Sequence, residues 1–163
     1  MKLLLWIQAY QRSWLTSFMR FMTWLGDRGH IWLGFALVCF CLPSYRVAGQ
    51  AILIALAGAL ILGNLILKNL CQRMRPFQKE ERLSILVKKP TDSSFPSCHT
   101  LSSVAVSLSM YQHVPPVLGK IGIATAVLIS LSRLYLCVHY LSDILVGAAC
   151  GILISWGIGY FIF

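Results

Sequence analysis

At 163 residues the chain has room for one domain, yet 58% of it is apolar, only 12% is charged and the mean hydropathy is +0.74. A soluble globule of this size cannot hide that much apolar surface, so the composition selects an all-α integral membrane protein. The net charge of +9, from 14 basic and 5 acidic residues, favours anionic headgroups or anionic substrates, and with no soluble domain to carry a basic face nucleic acid is not expected as a partner.

Residues 3–25 read as an amphipathic helix. Ile7, Tyr10, Trp14, Phe18, Phe21 and Leu25 recur at three- and four-residue spacing, and Gln8, Arg12, Thr16 and Arg20 form a polar stripe. Burying Arg12 and Arg20 in a bilayer is costly, which favours a helix lying in the interface over a sixth span. Gly26-Asp27-Arg28-Gly29 breaks the pattern. An apolar run from Ile31 to Leu42 follows and stops at Pro43. Val47 to Leu67 is the clearest span and should cover roughly 30 Å as a helix. Residues 68–95 form the one long polar connection. A helix then starts at Pro96 and runs to about Tyr111, Pro115-Pro116 ends it, and Ile121–Leu136 and Ile144–Phe163 complete the set. The expected fold is therefore a bundle of about five transmembrane helices behind an amphipathic N-terminal helix, as a single membrane-embedded domain over 1–163.

Alternation of these spans has a consequence for the polar residues. The second span ends at Lys68, the third begins at Pro96, the fourth ends near Arg133 and the fifth begins near Asp143. All four points fall on one membrane face, so clusters far apart in sequence converge.

Those clusters share a chemistry. Lys68 and Arg75 are two helical turns apart and, on a continuing helix, lie on one side. With Arg133 they supply cations suited to a phosphate and to the charge that develops in phosphoryl transfer. Pro96-Ser97-Cys98-His99 opens a helix, whose free N–H groups favour an anion. His139 and Asp143 are four apart. If helical, they share a face, and the carboxylate takes the Nδ1 proton and leaves Nε2 as a nucleophile. His99 is placed to act as acid and base. No metal and no cofactor is needed, and five acidic residues leave little for a two-metal site. His113 falls on the opposite face and has no expected role. Cys39, Cys41 and Cys150 read as buried apolar residues. Cys71, Cys98 and Cys137 lie near the clusters without a pairing that spacing supports.

In order and spacing, Lys68-x6-Arg75-Pro76, Pro96-Ser97-x-His99 and Ser132-Arg133-x5-His139-x3-Asp143 resemble the three-part signature of the type 2 phosphatidic acid phosphatases. The resemblance implies a helical bundle with a metal-independent lipid phosphatase site at the membrane surface. It implies His139 as nucleophile, Asp143 orienting it and His99 as acid/base. It also implies Lys68, Arg75, Ser97, the Cys98 backbone and Arg133 as phosphate ligands. The chain departs from the family at Cys98, where glycine is usual. Cysteine keeps the N–H but adds a side chain, which bears on the fit of a bulky headgroup.

Undecaprenyl diphosphate, phosphatidylglycerophosphate and phosphatidic acid are the expected substrates, hydrolysed by a multi-pass cell-membrane protein. The alternative is a non-catalytic lipid-binding or transport protein, against which the His–Asp pair and second histidine argue. Twelve of the fourteen basic residues, all but Arg46 and Lys120, fall on the active face. By the positive-inside rule that face is cytoplasmic. The family resemblance implies the extracytoplasmic side, and most of the excess charge lies in the N-terminal helix and the long loop rather than in short loops between spans.

Overall fold

Apolar runs of the lengths just described fold as helices wherever the backbone must satisfy its own hydrogen bonds. The computed structural model describes residues 1–161, and among them every regular element is helical. The last two residues of the span expected from Ile144 lie outside the described residues. α1 (Lys2–Ala9) and α2 (Ser13–Gly26) lead through a tight turn into α3 (His30–Cys41). α4 (Arg46–Ala59) continues without interruption through a π-helical stretch, Leu60–Leu67, into the short α5 (Lys68–Cys71). The long polar connection carries one turn of helix, α6 (Pro76–Lys79). α7 (Cys98–Tyr111), α8 (Pro116–Tyr135) and α9 (Leu141–Phe161) follow.

α7 is the hub and packs against α4, α8 and α9. Its sequence explains the position. Ser103, Ser107 and Ser109 are poor lipid-facing residues, and all three are buried with Leu101, Ala105 and Val106 between the neighbouring helices. The buried Trp32 of α3 donates its indole N–H to Ser103 Oγ at 3.1 Å. α9 approaches α7 through Gly147 and Gly151, one turn apart. A Cβ at Gly147 would lie 2.8 Å from Ser97 O, and one at Gly151 would lie 2.7 Å from Leu101 O. Small residues at this spacing let two helix backbones meet where hydrophobic segregation gives no driving force.

Among the described residues three segments are long and apolar enough to cross a membrane: the one containing α4 (within Pro43–Lys79), α8 and α9. α3 and α7 stand where spans were expected but have 12 and 14 residues, so each rises only roughly 18–21 Å. For α7 the shortfall is tolerable because protein, not lipid, surrounds it.

The N-terminal segment differs from the single helix expected over 3–25. It breaks between Ala9 and Ser13, and the break packs on Tyr135 at the end of α8. Gln11 Nε2 donates to Tyr135 O at 2.8 Å, the Arg12 N–H donates to Tyr135 Oη at 3.1 Å, and Thr16 Oγ1 pairs with the same hydroxyl at 3.0 Å. The polar stripe read from the sequence faces the long connection. Gln8 Nε2 donates to Arg82 O at 2.8 Å, Gln8 Oε1 accepts from the Ser84 N–H at 2.6 Å, and Arg20 Nε donates to Leu86 O at 2.5 Å. The opposite face exposes Trp14, Phe18, Phe21 and Trp24, which suits the water–lipid boundary.

The contrast between two glycines of α9 tests the packing. Gly151→Leu drives a side chain into the α7 backbone and should cost about 3 kcal/mol, read as a lowered melting temperature in detergent. Gly157 faces open space, so Gly157→Leu should leave the melting temperature unchanged or slightly raised.

Candidate active site

The helix carrying Lys68 does not continue to Arg75. It ends at Cys71, because Gln72 adopts a left-handed conformation with φ of 38°. Arg75 then sits in extended backbone just before α6, its N–H donating to Gln78 Oε1 at 2.7 Å. The two cations meet nonetheless, through a residue the sequence reading passed over. Lys68 Nζ donates to Asp92 Oδ2, and Arg75 Nη2 donates to Asp92 Oδ1 at 2.7 Å. Arg75 Nε adds a bond to Asp92 O at 3.0 Å, and Nη1 one to Val138 O at 2.9 Å. Burial alone would push the Asp92 carboxyl up. The Lys68 and Arg75 donors outweigh it and hold the pKa at about 2. Arg133, buried in the last turn of α8, donates through Nη1 to Thr23 Oγ1 of α2, while its Nε meets no acceptor among the described residues.

His139 precedes α9, so the helical i, i+4 geometry expected with Asp143 does not form. Asp143 stands 3.5 Å from His139 Nδ1. The shorter contact of Nδ1 is the Ser94 carbonyl, at 2.7 Å. On the other side Nε2 lies 3.3 Å from Arg75 Nη1. A carbonyl only accepts and a guanidinium only donates. Both partners therefore require the same tautomer, with the proton on Nδ1 and a lone pair on Nε2. Burial lowers the pKa of His139, with Arg133 and Arg75 adding to the effect against the pull of Asp143, so the ring stays neutral. Asp143 is fully buried and accepts from Arg73 Nη1 at 2.6 Å, Ser94 Oγ at 2.5 Å and the Tyr140 N–H at 2.9 Å. Arg73 also stacks on the Tyr140 ring, 4.1 Å from its centroid.

His99 lies in the first turn of α7, and its Nε2 pairs with Asp27 Oδ1 at 2.8 Å. Cys98 is the first residue of that helix, where the backbone dihedrals suit a cysteine. Its side chain leans on Gly63 in the π-helical stretch, where an added Cβ would lie 2.9 Å from Cys98 Sγ. The missing side chain at 63 makes room for the extra one at 98. Ser97 is fully buried and accepts from Thr100 Oγ1 at 3.1 Å.

Lys68, Arg75, Cys98, His99, Arg133 and His139 thus share the wall of one polar chamber of about 830 Å³. Ser97 and Asp143 are not on that wall. An apolar groove of about 510 Å³, lined by Leu33, Leu53, Leu56 and Leu60, meets the chamber at Lys68, Cys98 and His99. Asp27, Asp92, Arg73, Ser94 and Thr23 are the polar partners that spacing did not reveal. The six cysteines are all free.

The PAP2 superfamily pattern matches residues 46–163. An undecaprenyl-diphosphatase of Sulfolobus acidocaldarius is 30% identical over 150 residues, which cover 92% of this chain and 72% of that protein. A decaprenylphosphoryl-5-phosphoribose phosphatase of Mycobacterium tuberculosis is 34% identical over 125 residues, covering 74% of this chain and 65% of that one. Among solved structures, the first transmembrane PAP2 type phosphatidylglycerolphosphate phosphatase from Bacillus subtilis superposes with a TM-score of 0.81. It is 23% identical, with 98% of this chain and 82% of that one covered, a likeness of fold. With the signature clusters gathered around one chamber and the match extending over most of its length, the chain belongs to the PAP2 superfamily of multi-pass membrane proteins.

Proposed function

We propose that this lipid phosphatase hydrolyses the phosphate monoester or diphosphate of a polyprenyl lipid through a phosphohistidine on His139. The observation that carries the reading is the double constraint on His139. Ser94 O and Arg75 Nη1 together leave an Nε2 lone pair on a chamber that Lys68, Arg75 and Arg133 make positive. Phosphate oxygens satisfy the same donors that Asp92 satisfies, so a bound phosphate replaces a carboxylate rather than entering an uncharged space. Nε2 attacks phosphorus as the ester or anhydride P–O bond breaks, and His99 gives its proton to the departing oxygen. Water then attacks the phosphohistidine, His99 takes the water proton, and the N–P bond breaks. Asp143, tied to Arg73, Ser94 and Tyr140, stabilises the positive ring of the intermediate from 3.5 Å.

Two observations support a polyprenyl tail. The groove meeting the chamber is lined by leucines, and the two relatives named above carry polyprenyl-linked phosphates in their names. Phosphatidylglycerophosphate and phosphatidic acid present the same phosphate chemistry and belong in the assay.

Phosphate release from a panel of these lipids, in detergent with a chelator present, is the direct test. Wild type should turn over, His139→Ala should lose at least about 1,000-fold, and with p-nitrophenyl phosphate, whose leaving group needs no acid, His99→Ala should accumulate acid-labile protein-bound phosphate that His139→Ala lacks. Activity surviving in His139→Ala rejects the mechanism; no release from any lipid favours a binding protein. For the tail, Leu53→Trp should raise KM for undecaprenyl diphosphate roughly tenfold and leave KM for p-nitrophenyl phosphate unchanged.

We place the chamber on the extracytoplasmic side. Nine of its face's basic residues lie in the N-terminal helices and the long connection, not in the short inter-span loops that dominate the positive-inside rule. An impermeant maleimide added to intact cells should label Lys88→Cys above the wild-type background; labelling only after lysis reverses the assignment.

A further inference from the structure

We propose that Asp27, from the Gly26-Asp27-Arg28-Gly29 turn, is the positioning residue that holds His99 by Nε2 and makes Nδ1 its proton-transferring atom. The inference deepens the phosphatase reading and rests on it.

The turn is built to place this one carboxylate. α2 ends at Gly26, whose backbone lies so close to the His99 ring that an added Cβ would be 3.0 Å from Cδ2 and 2.8 Å from Ile129 Cγ2. Two left-handed residues follow Asp27: Arg28 with φ of 52° and Gly29 with φ of 73°. A non-glycine residue in that region is held there only by its surroundings. Between them Asp27 reaches His99, with Oδ1 2.8 Å from Nε2. Burial pushes the Asp27 carboxyl up, but the His99 hydrogen bond and charge, with Arg133 and His30, outweigh it and hold the pKa below its usual value. The carboxylate is ionised and accepts, so Nε2 carries the proton. Nδ1 has no hydrogen-bond partner among the described residues, and the ring lines the chamber.

The charges around His99 give this contact its purpose. Arg133 from α8, Lys68 from α5, Arg75 and Asp92 from the long connection and His139 from before α9 line the same chamber, with Arg28 beside Asp27. The cations suit a phosphate, but burial first and then Arg133 and Lys68 oppose a second proton on His99, against the pull of Asp27. An acid catalyst there must nevertheless carry one. Asp27 is the carboxylate paired with this ring. In the first step the doubly protonated ring gives its Nδ1 proton to the leaving oxygen as the P–O bond breaks and Nε2 of His139 bonds to phosphorus. In the second, Nδ1 takes a proton from water as the water oxygen bonds to phosphorus and the N–P bond breaks. Nε2–H stays on Asp27 throughout, and no proton resides on the carboxylate. Asp27 also precedes residues 46–163, the part of the chain that matches the family pattern.

Leaving groups separate positioning from folding. Farnesyl phosphate needs an acid to release its alcohol, whereas p-nitrophenol leaves as the anion. The full-length protein is assayed in detergent as wild type, D27N, D27E and H99A. D27N should lose about 100-fold on farnesyl phosphate, with the pre-steady-state burst of nitrophenol within threefold of wild type. The basic limb of its pH–rate profile should move to lower pH, since the ring then loses its proton more readily. D27E should recover at least a tenth of the wild-type rate. Should D27N fail to accumulate as folded protein, D27E carries the test with about a tenfold loss confined to farnesyl phosphate. Equal loss on both substrates, or wild-type behaviour on both while H99A discriminates between them, overturns the role of Asp27 alone. Wild type inactive on both, or H99A without discrimination, overturns the catalytic reading and the inference with it.

Discussion

Charge compensation inside an apolar bundle is the constraint on which the rest of this structure depends. A buried cation left without a partner costs several kcal/mol or more, and this chain buries Arg75 and Arg133 and nearly buries Lys68. It has only five acidic residues to set against them. Three are spent at the site, each on a different group: Asp92 on Lys68 and Arg75, Asp143 on Arg73 beside His139, and Asp27 on His99. The compensation stops short of neutrality. Around the chamber Arg20, Arg28, Lys68, Arg75, Lys88, Lys89 and Arg133 face only Asp27 and Asp92. The residual positive charge is of the sign and size that suit a phosphate dianion.

The same accounting separates the two histidines. Both are largely buried imidazoles on one chamber wall, yet their partners differ in kind. His139 meets a carbonyl and a guanidinium, a pair that leaves the ring neutral with its one lone pair, on Nε2, turned toward Arg75. His99 meets a carboxylate, which favours a held proton. The two rings thus differ in the protonation that their partners favour. Asp143 contributes at one remove: its Oδ2 takes the Ser94 hydroxyl and the Tyr140 N–H, which fixes the two residues that flank the His139 ring.

Helix positions and the convergence of clusters were legible because apolar run length and span alternation are global properties of a membrane chain. Fixed spacings also singled out Lys68, Arg75, His99, Arg133 and His139, which line one chamber, and Asp143 behind it. Asp92, Ser94 and Asp27 were not legible, because they act from irregular backbone, where no period predicts which side chains meet. Ser94 was doubly hidden, since its carbonyl makes the decisive contact and a carbonyl leaves no trace in the sequence. The helical assumption failed at two places for one reason. Lys68 to Arg75 and His139 to Asp143 both straddle the end of a helix, where the chain departs from 3.6-residue geometry to bring a side chain across the chamber. Scarcity was the usable signal for the carboxylates. In a chain with five acids and fourteen bases, any acid outside a surface run such as Glu80-Glu81 is a candidate partner for a buried cation.

The N-terminal helices take on a different meaning in this light. Read as a membrane-surface anchor, they are dispensable to the chemistry. In the structure Gln8 and Arg20 hold residues 82–86 by their backbone, and Thr23 holds Arg133. Residues 82–86 continue directly into the stretch that supplies Asp92 to the cations and Ser94 O to His139. The tautomer of His139 depends on the Ser94 carbonyl, and Ser94 is itself held through its N–H by Arg73 O at 2.8 Å and through its hydroxyl by Asp143. The segment before the motif residues therefore packs as part of the site's framework, bonding the long connection, Arg133 and His99 directly.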